Sequence, residues 1–310
     1  MTLNILFAAR EDRWVEYEAH LRAALEAAKI DASLATSIPA EEVDYIIYAP
    51  NSFFQDFTPY TRTKAVLNLW AGVESIVVNK TLTQPLVRMV DPGMTQSMTE
   101  WVVAHVLRYH LGIDAYIVNP DQAWAPAVPP LAEERTVCML GLGALGASVG
   151  QTLAQLGFFV TGWSRSPKTI ENIQTFSGEN GLMAALQTAE IVVLLLPDTA
   201  DTANTLNAKS LDAMPRGAFV INPGRGPLIN DADLIAALDS GQLAHATLDV
   251  FRAEPLPKEH PFWSHPKVTV TPHVAAETRA RTAARVIVEN IRRGEAGEAF
   301  LNVVDRTRGY

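Results

Sequence analysis

The stretch Gly141-Leu-Gly-Ala-Leu-Gly146 decides the fold of this chain. An apolar run, Thr136–Leu140, leads into it, and a segment typical of a helix follows over residues 147–156. A strand, a glycine-rich turn and a helix in this order form the fingerprint of a dinucleotide-binding site. The turn begins only at residue 141, so enough chain for another domain precedes it.

Each glycine of this turn has a physical reason. The first allows a tight turn, the second leaves room for a pyrophosphate to approach the backbone, and the third lets the helix pack closely on the strand. The phosphates then meet free N–H groups at the positive end of the helix dipole. We expect the residues that bind them to be Gly141, Gly143, Ala144, Leu145 and Gly146.

Composition indicates a folded protein of about two domains. The chain has 310 residues, of which 48% are hydrophobic and 19% charged, so a large core is expected and disorder is not. The formal net charge of −9 argues against binding to nucleic acids or to anionic membranes. The single cysteine, Cys138, lies in an apolar strand and is expected to be a buried small hydrophobe.

The N-terminal segment predicts a strand and not a targeting signal. It lacks the basic region and the cleavage site of a signal peptide. No apolar run approaches the ~18 residues that a membrane span needs. We therefore expect a cytoplasmic protein.

Apolar runs alternate with helical segments along the chain, which is typical of α/β proteins. In the first hundred residues the pattern predicts a helix over 13–28 and a small parallel sheet with strands over 5–8, 33–35, 45–48 and 66–69. Asp91-Pro92-Gly93 is a candidate hinge before a helix over 96–111. The later strands, which predict a doubly wound sheet, cover residues 137–140, 158–162, 191–196, 218–221, 246–250 and 268–270.

Two further segments bear on how domains or subunits contact each other. Residues 114–130 are apolar and rich in proline, and they carry Trp124. They form either a surface loop or an arm that embraces a second subunit. A C-terminal helix over 282–293 follows the last strand and is expected to return to the first domain.

Polar residues follow the later strands at the point where each strand ends. Ligands of doubly wound sheets bind just beyond these carboxyl ends. Arg225 follows one strand, Glu254 the next and His273 the last, so we expect the three to converge on one active site. Pro197 and Asn222 follow two neighbouring strands and are expected to contact the cofactor.

The second strand of this sheet indicates which cofactor is bound. An NAD site usually carries Asp or Glu about 20 residues beyond the glycines, to hold the ribose 2′-hydroxyl. Here Ser164-Arg165-Ser166 occupies that place, with no carboxylate. A guanidinium can pair with a 2′-phosphate and a serine can donate to it, so NADPH is preferred and NADH is possible.

The three convergent residues define a reaction. A histidine can give a proton to a carbonyl oxygen as hydride arrives at the carbon, and a carboxylate beside it fixes the ring and favours its charged form. An arginine can hold a substrate carboxylate. Together with the cofactor, they indicate reduction of a 2-keto acid to a 2-hydroxy acid.

These residues and motifs together resemble those of the D-isomer-specific 2-hydroxyacid dehydrogenase family. The matching stretches follow the family's order and span most of the chain: Trp70-Ala-Gly-Val-Glu74, Gly141 to Gly146, Ile221-Asn-Pro-Gly-Arg-Gly226, Leu248-Asp-Val-Phe251, Glu254-Pro-Leu-Pro257 and Thr271-Pro-His-Val-Ala275. Within the family, the chain is most similar to the glyoxylate/hydroxypyruvate reductase A branch. The supporting stretches are Pro85-Leu-Val-Arg88, Tyr109 and the ending Val304-Asp-Arg-Thr-Arg-Gly-Tyr310.

The resemblance implies a role for each matching residue. Arg225 would hold the substrate, Glu254 would orient His273, His273 would be the general acid, and Asp249 would meet the nicotinamide carboxamide. On the substrate side, the resemblance implies Ala71 and Gly72 as backbone donors to the carboxylate, Trp70 as a wall of the pocket, and Arg88 as a lining residue. Glu74 and the bulky Trp70 depart from the family pattern, and Trp70 favours small substrates such as glyoxylate and hydroxypyruvate.

The resemblance also implies an architecture. We expect two Rossmann-like or flavodoxin-like parallel-sheet domains, with a discontinuous substrate domain of residues 1–95 and 282–310 around an NAD(P)-binding Rossmann domain of residues 96–281. A homodimer built through the cofactor domains is implied as well.

Several alternatives stay open. The same fold could serve an NAD(P)H-sensing, corepressor-like interaction protein without turnover, or an NAD-linked dehydrogenase that works in the oxidative direction. The remaining histidines are expected to be packed or solvated, not catalytic. No cluster of ligands has metal spacing, so no metal is expected.

Overall fold

The computed structural model describes residues 2–117, 119–307 and Gly309. Arg308 and Tyr310 of the C-terminal motif, together with Met1 and Val118, lie outside the described residues. The chain divides into two compact units. Unit 1 comprises Met1–Met94 and Glu277–Tyr310, and unit 2 comprises Thr95–Ala276.

Strands and helices alternate through most of the chain. The strands are β1 Leu3–Ala8, β2 Ala32–Ala35, β3 Tyr45–Tyr48, β4 Ala65–Asn68, β5 Leu86–Val87, β6 Thr136–Leu140, β7 Phe159–Ser164, β8 Gln174–Ser177, β9 Ile191–Leu194, β10 Ala218–Asn222, β11 Leu243–Leu248 and β12 Val268–Val270. The α-helices are α1 Glu11–Ala27, α2 Glu74–Val77, α3 Pro92–Leu111, α4 Asp114–Ile117, α5 Ala144–Gln155, α6 Gly178–Leu186, α7 Ala208–Asp212, α8 Asp231–Asp239 and α9 Ala280–Glu295.

Unit 1 is built on a five-stranded parallel sheet. Its strand order is β2-β1-β3-β4-β5, which is the flavodoxin-like order. All residues of β3 and β4 are buried, because helices cover both faces of a parallel sheet and each strand therefore reads as a continuous apolar run.

The C-terminal helix α9 belongs to unit 1, which makes this unit discontinuous, as the resemblance implied. Its inner face buries Ala283, Ile287 and Ile291. Near its end, the Glu295 carboxylate accepts hydrogen bonds from the Tyr45 hydroxyl at 2.7 Å and from Lys64 Nζ at 2.6 Å. The end of this helix is thereby tied to β3 and to the residue that precedes β4.

Unit 2 is built on a seven-stranded parallel sheet. Its strand order is β12-β11-β10-β9-β6-β7-β8, which is the Rossmann order with one strand added at the β12 edge. Strand β6 lies centrally, with β9 on one side and β7 on the other. The order therefore reverses at β6, and this is the switch point where the glycine turn follows. Both sheets confirm the predicted fold class.

Two strands were not predicted from the sequence. Strand β5 has only two residues, and β8 is a polar edge strand that gives no apolar run.

The predicted arm over residues 114–130 begins with helix α4, and its Trp124 and Val128 side chains are almost fully exposed. Among the described residues, no helix is both long and apolar enough to cross a membrane.

Two histidines in unit 2 make stability depend on pH. Burial, with a smaller contribution from the Arg108 guanidinium, lowers the pKa of His105 and of His245 to about 4. An unfolded chain returns these imidazoles to a pKa of about 6.5, so between these two values the unfolded state binds more protons. We therefore expect the free energy of unfolding to fall as the pH falls from about 6.5 to about 4.

Urea titrations at pH 7 and pH 5 measure this effect. His245 Nε2 pairs with Thr269 Oγ1 at 2.9 Å, and His245→Asn keeps a polar group there while removing the titration. The variant should lose less stability between the two pH values than the wild type. The same change at the exposed His20 serves as the control and should leave the loss unchanged. An unchanged pH loss in His245→Asn would contradict this explanation.

Candidate active site

The glycine turn of unit 2 connects β6 to α5. Gly141 has a φ of +106°, and a Cβ there would lie 2.5 Å from the carbonyl oxygen of Leu195. A Cβ on Gly146 would lie 1.9 Å from the carbonyl oxygen of Gly141. A Cβ on Gly143 would meet no atom within 4 Å. The protein's own packing therefore requires the first and third glycines, whereas the second borders open space.

Helix α5 begins directly after Gly143, its N-cap residue. The N–H groups of the first helical turn, which includes Ala144 and Leu145, have no partner within the helix. Together with the open space at Gly143, they form a cradle that suits a pyrophosphate.

The end of β7 turns toward the glycine turn. The buried Ser164 hydroxyl donates to the carbonyl oxygen of Ser166 at 2.8 Å, while Arg165 and Ser166 are exposed. Lys168 Nζ donates to the carbonyl oxygen of Leu142 at 2.5 Å and so ties this loop to the glycine turn. This contact of Lys168 was not predicted from the sequence. The place of Lys168 four residues after Ser164 was the available signal.

The loop after β10 carries Arg225. The buried Asn222 closes this loop, because its Nδ2 donates to the carbonyl oxygen of Arg225 at 2.9 Å and its Oδ1 accepts from Gly224 N at 3.1 Å. Arg225 Nη1 donates to the carbonyl oxygen of Gly224 at 2.7 Å. The Asn222 amide therefore shapes the loop that carries Arg225. Its contact with a cofactor stays a prediction.

Gly226 joins this loop to the loop that carries Glu254. A Cβ on Gly226 would lie 2.0 Å from the carbonyl carbon of Phe251, so the two backbones touch where no side chain fits. Phe251 N in turn donates to Glu254 Oε1 at 2.9 Å. Arg225 and Glu254 are therefore held on abutting loops, as convergence at the strand ends predicted.

Glu254 and His273 form a close pair. His273 Nδ1 lies 2.7 Å from Glu254 Oε2, and half of the His273 side chain is exposed. No partner of His273 Nε2 is recorded in the described part of the chain. One imidazole nitrogen is thus held by a carboxylate while the other can meet a ligand, which is the arrangement of an oriented general acid.

Asp249 builds the loop on which His273 lies. This fully buried carboxylate accepts hydrogen bonds from Thr271 Oγ1 at 2.6 Å and from the N–H groups of Val274 and Ala275, both at 2.9 Å. Its carbonyl oxygen accepts from His273 N at 2.8 Å and holds that residue at a φ of +56°. Its predicted contact with nicotinamide stays a prediction, and sequence reasoning missed the role in the loop.

Pro197 follows β9, and its carbonyl oxygen accepts a hydrogen bond from Thr202 Oγ1 at 2.6 Å. This contact orders the loop beside the glycine turn, since Leu195 N donates to the carbonyl oxygen of Leu140 at 2.7 Å.

Unit 1 carries the residues predicted for the substrate. Trp70, Ala71 and Gly72 form the turn after β4, and 40% of Trp70 is exposed. Met89 N donates to the carbonyl oxygen of Trp70 at 3.1 Å, so the segment with Arg88 runs beside this turn. Burial lowers the pKa of Arg88, and no partner of its guanidinium is recorded among the described residues. A partly buried cation of this kind suits an anionic ligand.

No group of three or more His, Cys, Asp or Glu residues in the described ranges has the arrangement of a metal site.

Comparison with known proteins identifies the family. The model of the D-isomer specific 2-hydroxyacid dehydrogenase NAD-binding domain matches residues 105–275. A glyoxylate/hydroxypyruvate reductase A from Yersinia enterocolitica is 44% identical over 255 residues, which cover 80% of this chain and 82% of that protein. The chain belongs to the D-isomer specific 2-hydroxyacid dehydrogenases, a family of NAD(P)-dependent oxidoreductases. This confirms the resemblance found in the sequence.

Solved structures agree with this assignment. A D-isomer specific 2-hydroxyacid dehydrogenase from Xanthobacter autotrophicus Py2, in complex with NADPH and MES, has a TM-score of 0.92 and 41% identity, with both chains covered fully. An NADPH-dependent glyoxylate/hydroxypyruvate reductase from Sinorhizobium meliloti, in complex with NADP and sulfate, has a TM-score of 0.86 and 34% identity. That match covers 100% of this chain and 99% of the other.

Proposed function

We propose that this protein reduces small 2-keto acids, with glyoxylate and hydroxypyruvate as the leading substrates, to 2-hydroxy acids at the expense of NADPH. The observation that carries the proposal is the pair of His273 and Glu254, 2.7 Å apart, whose imidazole keeps Nε2 available at the carboxyl edge of a Rossmann sheet. The names of the relatives in Yersinia enterocolitica and Sinorhizobium meliloti support the same substrates.

The residues of unit 2 fit a dinucleotide. The open space at Gly143 would admit the pyrophosphate, with Gly141, Ala144, Leu145 and Gly146 around it. Ser164, Arg165 and Ser166 would form the site of the 2′-phosphate, and Pro197, Asn222 and Asp249 would complete the cofactor site. The absence of a carboxylate at the end of β7 favours NADPH, and NADH is a weaker alternative. The bound cofactor supplies the hydride.

The chain's own residues supply the proton and the orientation. His273 would donate its Nε2 proton to the carbonyl oxygen of the substrate as the carbonyl carbon receives the hydride. Glu254 would hold the imidazolium in place through Nδ1. Arg225 would pair with the substrate carboxylate and polarise the neighbouring carbonyl.

The other residues that we assign to the substrate belong to unit 1. We assign the carboxylate to backbone N–H groups of the turn with Ala71 and Gly72, and to Arg88. Trp70 would limit the size of the substrate. Residues 1–95 and 282–310 would thus serve as the substrate domain and residues 96–281 as the cofactor domain. A homodimer and a cytoplasmic location are part of the proposal and can be tested by light scattering and by cell fractionation.

Steady-state assays with a panel of 2-keto acids test the proposal. NADPH should be oxidised in the presence of glyoxylate or hydroxypyruvate, and faster than NADH at equal concentrations. Binding of NADPH with no turnover of any 2-keto acid would overturn it and favour a cofactor-sensing interaction protein. A clear preference for NADH and for oxidation of the hydroxy acid would favour an NAD-linked dehydrogenase.

Replacement of Arg165 tests the preference for NADPH. Arg165→Asp should lower kcat/KM for NADPH relative to NADH by about 10- to 100-fold, because a charge-assisted pair is lost and the new carboxylate repels the 2′-phosphate. Lys209→Asp, at an exposed position of helix α7, changes the net charge equally and serves as the control. An unchanged cofactor ratio in Arg165→Asp would refute this assignment.

A further inference from the structure

The side chain of Asn68 lies under the turn that follows β4. Asn68 is the last residue of this strand and is 1% exposed. Its Nδ2 donates to the carbonyl oxygen of Trp70 at 2.8 Å and to that of Gly72 at 3.1 Å. One amide therefore fixes two carbonyl groups of the turn that was predicted to hold the substrate.

Fixing these carbonyls also fixes two N–H groups. In a trans peptide the N–H points opposite to the preceding carbonyl, and the cis bond recorded in the described part of the chain, Glu254–Pro255, lies elsewhere. The N–H groups of Ala71 and Val73 therefore point away from the Asn68 amide. No backbone acceptor for either is recorded among the described residues. Two donors are thus held pointing away from this amide, with no backbone acceptor in the described part of the chain.

The other end of the Asn68 amide adds no hydrogen bond to the stability of the turn. Asn68 Oδ1 is buried and has no hydrogen-bond partner among the described residues. An unpaired buried acceptor costs free energy, which offsets part of what the two hydrogen bonds of Nδ2 contribute. What the amide provides is the geometry of the turn.

We propose that Asn68 is a positioning residue, which fixes the turn whose N–H groups, that of Ala71 among them, would hold the carboxylate of the substrate. The proposal rests on the function proposed above and refines it, because it names the side chain that fixes the turn assigned to the carboxylate. Asn68 itself does not touch the substrate.

Kinetics of Asn68→Ala and Asn68→Ser test this role. The KM for glyoxylate should rise by about 10- to 100-fold in Asn68→Ala, the loss expected when hydrogen bonds to a charged group are misaligned. The kcat and the KM for NADPH should stay within about twofold, because the proton and the cofactor are handled in unit 2. Asn68→Ser keeps one donor, so its KM for glyoxylate should lie between those of the wild type and of Asn68→Ala. This variant provides the test if the alanine variant fails to fold.

Asn290 provides a matched control. It is another fully buried asparagine of unit 1, with Nδ2 donating to the carbonyl oxygen of Val286 at 3.1 Å and Oδ1 accepting from Leu301 N at 2.7 Å. Asn290→Ala should lower stability without a selective rise in the KM for glyoxylate. An equal KM change in both variants, or an unchanged KM in the Asn68 variants, would overturn the positioning role.

Binding of oxamate separates this inference from the proposed function. Calorimetry on the NADPH-bound protein reports carboxylate binding without turnover, and Asn68→Ala should weaken it by the same factor as the KM. If the wild-type protein bound oxamate but reduced no 2-keto acid, the proposed reaction would be refuted. The oxamate affinities of the wild type and of Asn68→Ala would then still test the role of Asn68. Equal affinity of wild type and variant, or no binding to either, would refute the role of Asn68.

Discussion

Replacing His273 by Asn should lower the kcat for reduction of glyoxylate by about 10³-fold or more, within the range expected for the loss of a general acid. Affinity for NADPH should change by less than about twofold, since the residues assigned to the phosphates lie on other loops. Asparagine is the suitable replacement because His273 has a φ of +56°, and asparagine tolerates this left-handed conformation better than most residues. The loop is therefore expected to keep its shape.

His265 is the matched control for this experiment. It also pairs with a carboxylate of unit 2, with Nε2 lying 3.3 Å from Asp239 Oδ1, but it lies away from the strand ends that carry Arg225 and Glu254. His265→Asn should keep nearly full activity. If His273→Asn retained more than about a tenth of the wild-type kcat, another group would have to supply the proton. Fluorescence titration with NADPH would show whether the variant still binds the cofactor.

Two glycine-to-alanine substitutions in the glycine turn give the second large effect. We expect one to weaken NADPH binding and the other to lower stability. Gly143→Ala should weaken NADPH binding by about 100-fold, because the added methyl group occupies the space assigned to the pyrophosphate. Its stability should change little, since Gly143 has a φ of −74° and a Cβ there meets no atom within 4 Å.

Gly146→Ala should instead lower the free energy of unfolding by about 1–3 kcal/mol, the cost of forcing a methyl group into packed atoms. The contact responsible is the 1.9 Å approach to the carbonyl oxygen of Gly141. Denaturant titration and calorimetry with NADPH measure both variants. Normal NADPH affinity in a folded Gly143→Ala protein would contradict the assignment of this space to the cofactor.

The sequence predicted the elements better than their arrangement. Long apolar runs such as the one over 191–196 were sufficient to predict central strands, because both faces of a parallel sheet are buried. Strand β8, Gln174–Ser177, was missed because an edge strand can be polar. The strand order depends on contacts between segments far apart in the chain, and only the structure gives the reversal at β6.

The candidate site could also be predicted only in part. The approach of Glu254 to His273 followed from the rule that parallel strands end at one edge of a sheet. Asp249, Asn222 and Asn68 could not be predicted as loop-forming residues, because their hydrogen bonds depend on the path of the backbone within each loop. Asp249 and Asn222 were predicted only as cofactor contacts, whereas the structure shows Asp249 holding the loop of His273 and Asn222 holding the loop of Arg225.

Transfer of an isotope label tests the proposed reaction most directly. NADPH that carries deuterium at both positions of nicotinamide C4 is incubated with the protein and hydroxypyruvate, and the product is analysed by mass spectrometry and chiral chromatography. The proposed reaction predicts a D-2-hydroxy acid with one deuterium at C2. Product without deuterium at C2, or no product from any 2-keto acid while NADPH binds, would contradict hydride transfer as the function of this protein.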